Sequence, residues 1–146
     1  MRRLLFAVVA LALLVPAGAP APATAQDEPA GLFVNLTSAD AWRAGMALAF
    51  ARNVQNQGHP VTVFLNIDAV RIASTEIPSP ANAATGETLQ DMLAQIVEND
   101  GAVIVCPMCM DLAGITEAEL IDGARVGGAD VTFPALFGDN VRVISY

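Results

Sequence analysis

The chain contains the stretch Ala102-Val103-Ile104-Val105-Cys106-Pro107-Met108-Cys109-Met110. It begins with a β-branched, apolar run over 102–105, which stops abruptly at Cys106. Because such residues favour strands and this run is apolar on both faces, residues 102–105 are predicted to form a central strand of a sheet. Pro107 suits the first position of a helix, so a helical turn is expected directly after the strand. Both cysteines of the chain lie in this stretch. The stretch therefore predicts both a central strand of the sheet and the place where a reaction would occur.

Cys106 and Cys109 are the candidate catalytic residues. A cysteine between a buried strand and a helical turn meets converging N–H dipoles, which lower a thiol pKa and favour the nucleophilic thiolate. A disulfide between the two would close a very short loop and would constrain the unfolded chain little. The spacing therefore predicts redox or sulfur chemistry rather than a structural bridge. The single histidine, His59, lies in a Gly-His-Pro turn and is expected to be a solvated loop residue.

Strands and helices are predicted to alternate on either side of this stretch. The strands are expected over residues 32–35, 61–65, 102–105 and 141–145, and the helices over 41–57, 88–100 and 116–121, with a last helical turn at 131–137. Thr37 and Ser38 are the expected N-caps of the first helix. Residues 66–70 are predicted to be a loop, and 76–86 to be irregular. This order predicts a single α/β domain around a mainly parallel sheet.

A stripe of large apolar side chains marks the first predicted helix. It recurs every four residues, which places its members on one helical face: Trp42, Met46, Phe50 and Val54. We expect this face to pack against the sheet as core.

Polar residues follow several of the predicted strands. In a parallel sheet, ligands bind at the carboxyl ends of the strands, so side chains there are expected to share one crevice with Cys106. The candidates for lining that substrate pocket are Asn35, Asn66, Asp68, Pro107 and Met108.

The first 25 residues are predicted to be a signal peptide. Arg2 and Arg3 precede an unbroken apolar run over 4–15, and Ala23-Thr24-Ala25 offers the small residues that signal peptidase prefers. The apolar run is too short for a permanent membrane span. We expect a flexible leader over 26–31 and the folded domain over 32–146. The sequence thus predicts export, to the periplasm of a bacterium.

The charge of the chain excludes several classes of function. The chain has no lysine and a net charge of −8. Nucleic acids and anionic membranes are bound through basic side chains, and a P-loop requires its lysine, so none of these is expected. No cofactor and no metal is predicted. Two thiols and two thioethers are ligands that suit Cu(I), but core packing of Met108 and Met110 is the favoured interpretation.

The chain resembles the DsrE/DsrF-like family of sulfur-relay proteins, which is related to YchN and TusBCD. The blocks that carry the resemblance are Gly58-His59-Pro60-Val61-Thr62-Val63-Phe64-Leu65, Gly101 through Met110, and Gly114-Ile115. The resemblance implies a three-layer α/β/α sandwich and a homo-oligomer, trimeric or hexameric. By its distance from Gly114, Cys106 matches the persulfide-accepting cysteine of the family, and Cys109 matches a second thiol of some relatives.

The resemblance implies a periplasmic sulfur carrier or sulfurtransferase-like protein that accepts and passes on persulfide sulfur through Cys106. Its partners would be sulfur donor and acceptor proteins or small thiols. Two alternatives stay open. The first is a dithiol–disulfide oxidoreductase that uses Cys106 and Cys109. The second is a non-enzymatic oligomeric binding protein in which the cysteines are incidental.

Overall fold

A computed structural model describes residues 28–146. The predicted signal peptide and the first two residues of the predicted leader lie outside this range. Five parallel strands form one sheet in the order β4-β3-β2-β1-β5. They are β1 (Gly31–Leu36), β2 (Val61–Leu65), β3 (Ala102–Val105), β4 (Ala124–Val126) and β5 (Val141–Ser145). The predicted position of β3 inside the sheet is therefore confirmed, and β1 takes in Gly31 from the predicted leader.

Four α-helices and two 3₁₀ segments connect the strands. The α-helices are α1 (Ala41–Asn56), α2 (Leu89–Glu98), α3 (Pro107–Ala113) and α4 (Ala129–Phe137). The 3₁₀ segments cover Ile67–Ala73 and Glu117–Glu119. Within residues 28–146, every helix is too short or too polar to cross a membrane.

The alternation of side chains along the strands separates two helical layers. Leu32, Val34 and Leu36 of β1 are buried in one cluster with side chains from α1, α2 and α3. Phe33 of β1 and Phe64 of β2 point to the other face, where they line a cavity together with residues of α4. The fold is thus a three-layer α/β/α sandwich, as the sequence predicted.

The order of the strands explains this distribution. The connections through α1, α2 and α3 each move one strand further along the sheet in the same direction. Because parallel crossovers are right-handed, these three helices lie on one face. The connection through α4 returns across the sheet from β4 to β5 and therefore covers the opposite face.

The prediction that the large apolar stripe of α1 is core was wrong for three of its four members, whereas Val54 is partly buried against the core. The side chains of Trp42, Met46 and Phe50 are 71%, 50% and 44% exposed. The buried face of α1 consists mainly of small residues, namely Ala44, Gly45, Ala47, Leu48 and Ala51. Small side chains let the helix approach the sheet closely, so the stripe of large residues is turned toward solvent.

Several local predictions also need correction. The N-cap of α1 is Asp40, whose side chain accepts a hydrogen bond from the Arg43 amide, and not Thr37 or Ser38. The predicted loop at 66–70 is the start of the first 3₁₀ segment, and β4 was not predicted. His59 is half-buried, with Nδ1 2.8 Å from the carbonyl oxygen of Ala30. It precedes β2 and therefore lies at the amino ends of the strands, whereas the cysteines lie at the carboxyl ends.

Candidate functional site

Cys106 connects the central sheet to helix α3. Its amide donates to the carbonyl oxygen of Leu65 at 2.9 Å, which continues the pairing of β3 with β2 by one residue. Its backbone is extended and it is the N-cap residue, so the chain turns into α3 directly after it. The helix ends at Gly114, whose φ of +71° favours glycine. Cys106 is therefore fixed by the sheet on one side and by a short helix on the other.

Cys109 lies in the first turn of α3 and faces the 3₁₀ segment that follows β2. The backbone N–H of Ile67 donates a hydrogen bond to its Sγ, with an N–S distance of 3.1 Å. This hydrogen bond fixes the position of the Cys109 sulfur beside the 3₁₀ segment. Both cysteines are free and half-buried, and the Cys109 side chain is close enough to Cys106 to influence the pKa of its thiol.

The amide of Ile67 is aimed at Cys109 by an unusual backbone conformation. Ile67 has a φ of +52°, which a β-branched residue rarely adopts and which costs about 1–3 kcal/mol. The preceding residue is held from two sides. The Asn66 amide donates to the carbonyl oxygen of Leu36 at 3.0 Å, and the Asn66 side chain donates to Oδ1 of Asn35. These contacts keep the strained residue in place.

A cavity of about 280 Å³ opens beside Cys109. Its lining residues are Ile67, Asp68, Arg71, Cys109, Leu112 and Ala113. It lies between the 3₁₀ segment and α3, at the carboxyl ends of β2 and β3, where the parallel sheet predicts a ligand site. We call it the Cys109 cavity.

The pKa of Cys106 departs from the expectation based on helix dipoles. Burial, together with the hydrogen bond and charge of the Cys109 side chain, raises the pKa of the Cys106 thiol. The amides of Cys109 and Met108 act in the opposite direction but are outweighed. The prediction of a lowered pKa at this position was therefore wrong, because partial burial was not visible in the sequence.

The structure divides the predicted pocket residues into three groups. Asp68 lines the Cys109 cavity, whereas Asn35 and Asn66 bond to each other beside it. Pro107 and Met108 are exposed, and neither is among the described residues that line the Cys109 cavity. All five lie near the carboxyl ends of the strands, but only Asp68 shares a cavity with a thiol.

The thioethers near the cysteines point in different directions. Met110 is 4% exposed and belongs to the core, while Met108 is 71% exposed. Core packing is therefore confirmed for Met110 and wrong for Met108. Residues 28–146 contain no group of three or more His, Cys, Asp or Glu side chains placed to hold a metal ion.

Sequence reasoning missed three contributors to the site, namely the Ile67 amide, Arg71 and Leu112. Arg71 follows Asp68 by three residues, the spacing that brings side chains together in a 3₁₀ helix. That signal was hidden because residues 66–70 were predicted to be a loop.

Comparisons with known proteins agree with the fold. The sequence model of the DsrE/DsrF-like family matches residues 31–145. The ychN protein from E. coli has a crystal structure that superimposes with a TM-score of 0.66 at 21% identity, over 81% of this chain and 99% of that one. MTH1491 from Methanobacterium thermoautotrophicum, a protein of unknown function, gives 0.64 at 11% identity over 80% and 99%. These two likenesses establish the fold, and no curated protein matches the chain.

The raised pKa of Cys106 predicts how its alkylation depends on pH. Iodoacetamide reacts with the thiolate, so Cys106 in the folded protein should reach its full alkylation rate only at a higher pH than an ordinary cysteine. The measurement is site-resolved mass spectrometry after brief labelling across a pH series. The same chain unfolded in urea is the control. Equal profiles for Cys106 in the folded and unfolded chains would contradict the assignment.

Proposed function

The chain belongs to the DsrE/DsrF-like family, and on this premise we propose that it is a sulfur carrier that accepts and passes on persulfide sulfur through its Cys106–Cys109 pair. Family membership supports a role related to sulfur relay. The observation that carries the finer proposal is the meeting of two free thiols at the carboxyl ends of the strands, with one of them lining a cavity. Sulfur donor and acceptor proteins or small thiols would be its partners.

The proposed chemistry uses exchange at sulfur. A cysteine thiolate attacks the outer sulfur of a persulfide donor, and the donor thiolate leaves. An acceptor thiolate then attacks the same sulfur and releases the cysteine. The single histidine, His59, is not placed to act as a base, because it precedes β2 and lies at the amino ends of the strands, away from the cysteines. The Ile67 amide, which donates to Sγ of Cys109, instead orients one sulfur of the pair.

A second candidate function, dithiol–disulfide oxidoreductase, is favoured by one observation. Cys109 follows Cys106 within the first turn of α3, and its side chain is close enough to raise the pKa of the Cys106 thiol, which is the proximity that a reversible disulfide needs. Both functions can be tested in one experiment, because sulfur transfer adds mass and disulfide formation removes it.

Intact mass spectrometry tests the proposal. Reduced protein incubated with a persulfide donor should gain about 32 Da, the mass of one sulfur, as persulfidation requires. The double variant Cys106→Ser, Cys109→Ser is the control and should gain none. A loss of about 2 Da without any adduct would instead indicate disulfide formation and the oxidoreductase function. Unchanged mass in the wild-type protein would support neither.

We infer that the protein acts outside the cytoplasm, in the periplasm. The support is the sequence pattern of residues 1–25, with two arginines, an apolar run and a small-residue cleavage site. N-terminal sequencing of the protein recovered from a periplasmic extract is expected to begin at Gln26. A chain that retains Met1 and stays with the cytoplasmic fraction would contradict export.

We also infer that copies of the chain associate, as a trimer or hexamer. Two patches of exposed large apolar side chains support this, one on α1 and one on α4 and β5. They comprise Trp42, Met46 and Phe50 on one face of the sandwich, and Phe133, Phe137 and Val143 on the other.

Light scattering coupled to size exclusion tests the association. The wild-type protein should have the mass of three or six chains, and Trp42→Glu should lower it, because a buried charge at the contact is costly. Ala84→Glu, which adds the same charge in an exposed loop, should leave the mass unchanged. A monomeric wild-type protein, or an unaffected Trp42→Glu variant, would contradict the inference.

A further inference from the structure

Arg71 places a positive charge in the wall of the Cys109 cavity. Its Nε lies 4.0 Å from Oδ1 of Asp68, which is longer than a hydrogen bond. Within residues 28–146, the guanidinium has no other ion-pair partner and no hydrogen bond from its side chain. Because a guanidinium carries five N–H donors, Arg71 can bind an anionic group that enters the cavity.

The size and walls of the cavity favour a small molecule. Its volume of about 280 Å³ lies at the lower end of ligand sites. Leu112 and Ala113 from α3, together with Ile67, supply apolar surface to the walls that also contain Arg71 and the thiol. A donor with a short carbon chain, an anionic group at one end and sulfur at the other matches these walls.

The two thiols are not equivalent toward such a donor. Cys109 lines the cavity and accepts the hydrogen bond from Ile67, whereas Cys106 is not among the described lining residues. Burial and the neighbouring Cys109 side chain raise the pKa of the Cys106 thiol, which disfavours its nucleophilic thiolate form. Access to the cavity and the amide that orients its Sγ therefore both favour Cys109 as the first nucleophile.

Resting on the proposed function, we propose that the Cys109 cavity binds a small persulfide bearing an anionic group, which Arg71 holds while Cys109 accepts the sulfur. This order differs from the sequence-based interpretation, in which Cys106 is first. Arg71 is a binding residue in this proposal, and the Ile67 amide is a positioning group.

The transfer step balances without an added oxidant. The Cys109 thiolate attacks the outer sulfur of R–S–SH, a bond forms between Sγ and that sulfur, and the donor S–S bond breaks. The leaving R–S⁻ takes the electron pair, and the proton stays on the transferred sulfur. Cys106 remains a thiol throughout and is free to hydrogen-bond to the new persulfide.

The test compares three donors of nearly equal size. These are the persulfides of 3-mercaptopropionate, 2-mercaptoethanol and cysteamine, which are anionic, neutral and cationic away from the sulfur. Loading of the full chain is followed by intact mass in a rapid-quench series. Wild-type protein should load fastest from the anionic donor and slowest from the cationic one, and added salt should narrow the difference.

Variants of Arg71 test the binding role. Arg71→Gln should slow loading from the anionic donor by about tenfold, because a hydrogen bond to a charged group is lost, and should leave loading from the neutral donor unchanged. Arg71→Lys should restore part of the preference. Arg125→Gln removes the same charge from an exposed position on β4 and is the matched control. A charge preference that survives Arg71→Gln, or is lost equally in Arg125→Gln, would overturn the proposal.

Single cysteine variants separate this inference from the proposed function. Cys106→Ser should still load and Cys109→Ser should not. If Cys106→Ser abolishes loading while Cys109→Ser loads normally, the inference fails although the sulfur-carrier function stands. If no donor loads the wild-type protein, the proposed function itself fails, and the inference fails with it.

Discussion

The parallel pairing of β1, β2 and β3 is the constraint on which the site depends. At their carboxyl ends, β2 and β3 are each extended by one hydrogen bond to the neighbouring strand. The Asn66 amide donates to the carbonyl oxygen of Leu36, and the Cys106 amide donates to that of Leu65. Because these two bonds fix the first residue after β2 and after β3, the two connecting segments leave the sheet side by side. The contact between Ile67 and Cys109 follows from that common edge.

The strain at Ile67 has a structural explanation in this edge. Asn66 is extended and bonded to both Leu36 and Asn35, so the chain must turn sharply at the next residue to begin the 3₁₀ segment. A left-handed residue makes that turn and directs its amide toward α3. Glycine would adopt the conformation at lower cost, but its greater freedom would hold the amide less firmly. The strained isoleucine therefore exchanges some stability for a fixed donor.

The sequence was informative where one signal dominated. The β-branched run at 102–105, the helical pattern over 88–100 and Pro107 at a first helical position each predicted a feature that the structure contains. The buried face of α1 could not be predicted from its large residues, because that face consists mainly of alanines. Alanine is found on buried and exposed helix faces, so the sequence alone does not show which alanines are buried. Arg71 was missed for a related reason, since its pairing with Asp68 depends on a 3₁₀ geometry that begins at a non-glycine left-handed residue.

The two cysteines have separate structural supports although one helical turn joins them. Cys106 is held by the sheet through Leu65, and its partial burial raises its pKa. Cys109 is held by the segment after β2, which also supplies Arg71 and half of the cavity wall. Substitutions in the 67–73 segment can therefore change the ligand and the environment of Cys109 without moving Cys106. In such a pair the surroundings of Cys106 can stay the same while substitutions adapt the Cys109 cavity to a different donor.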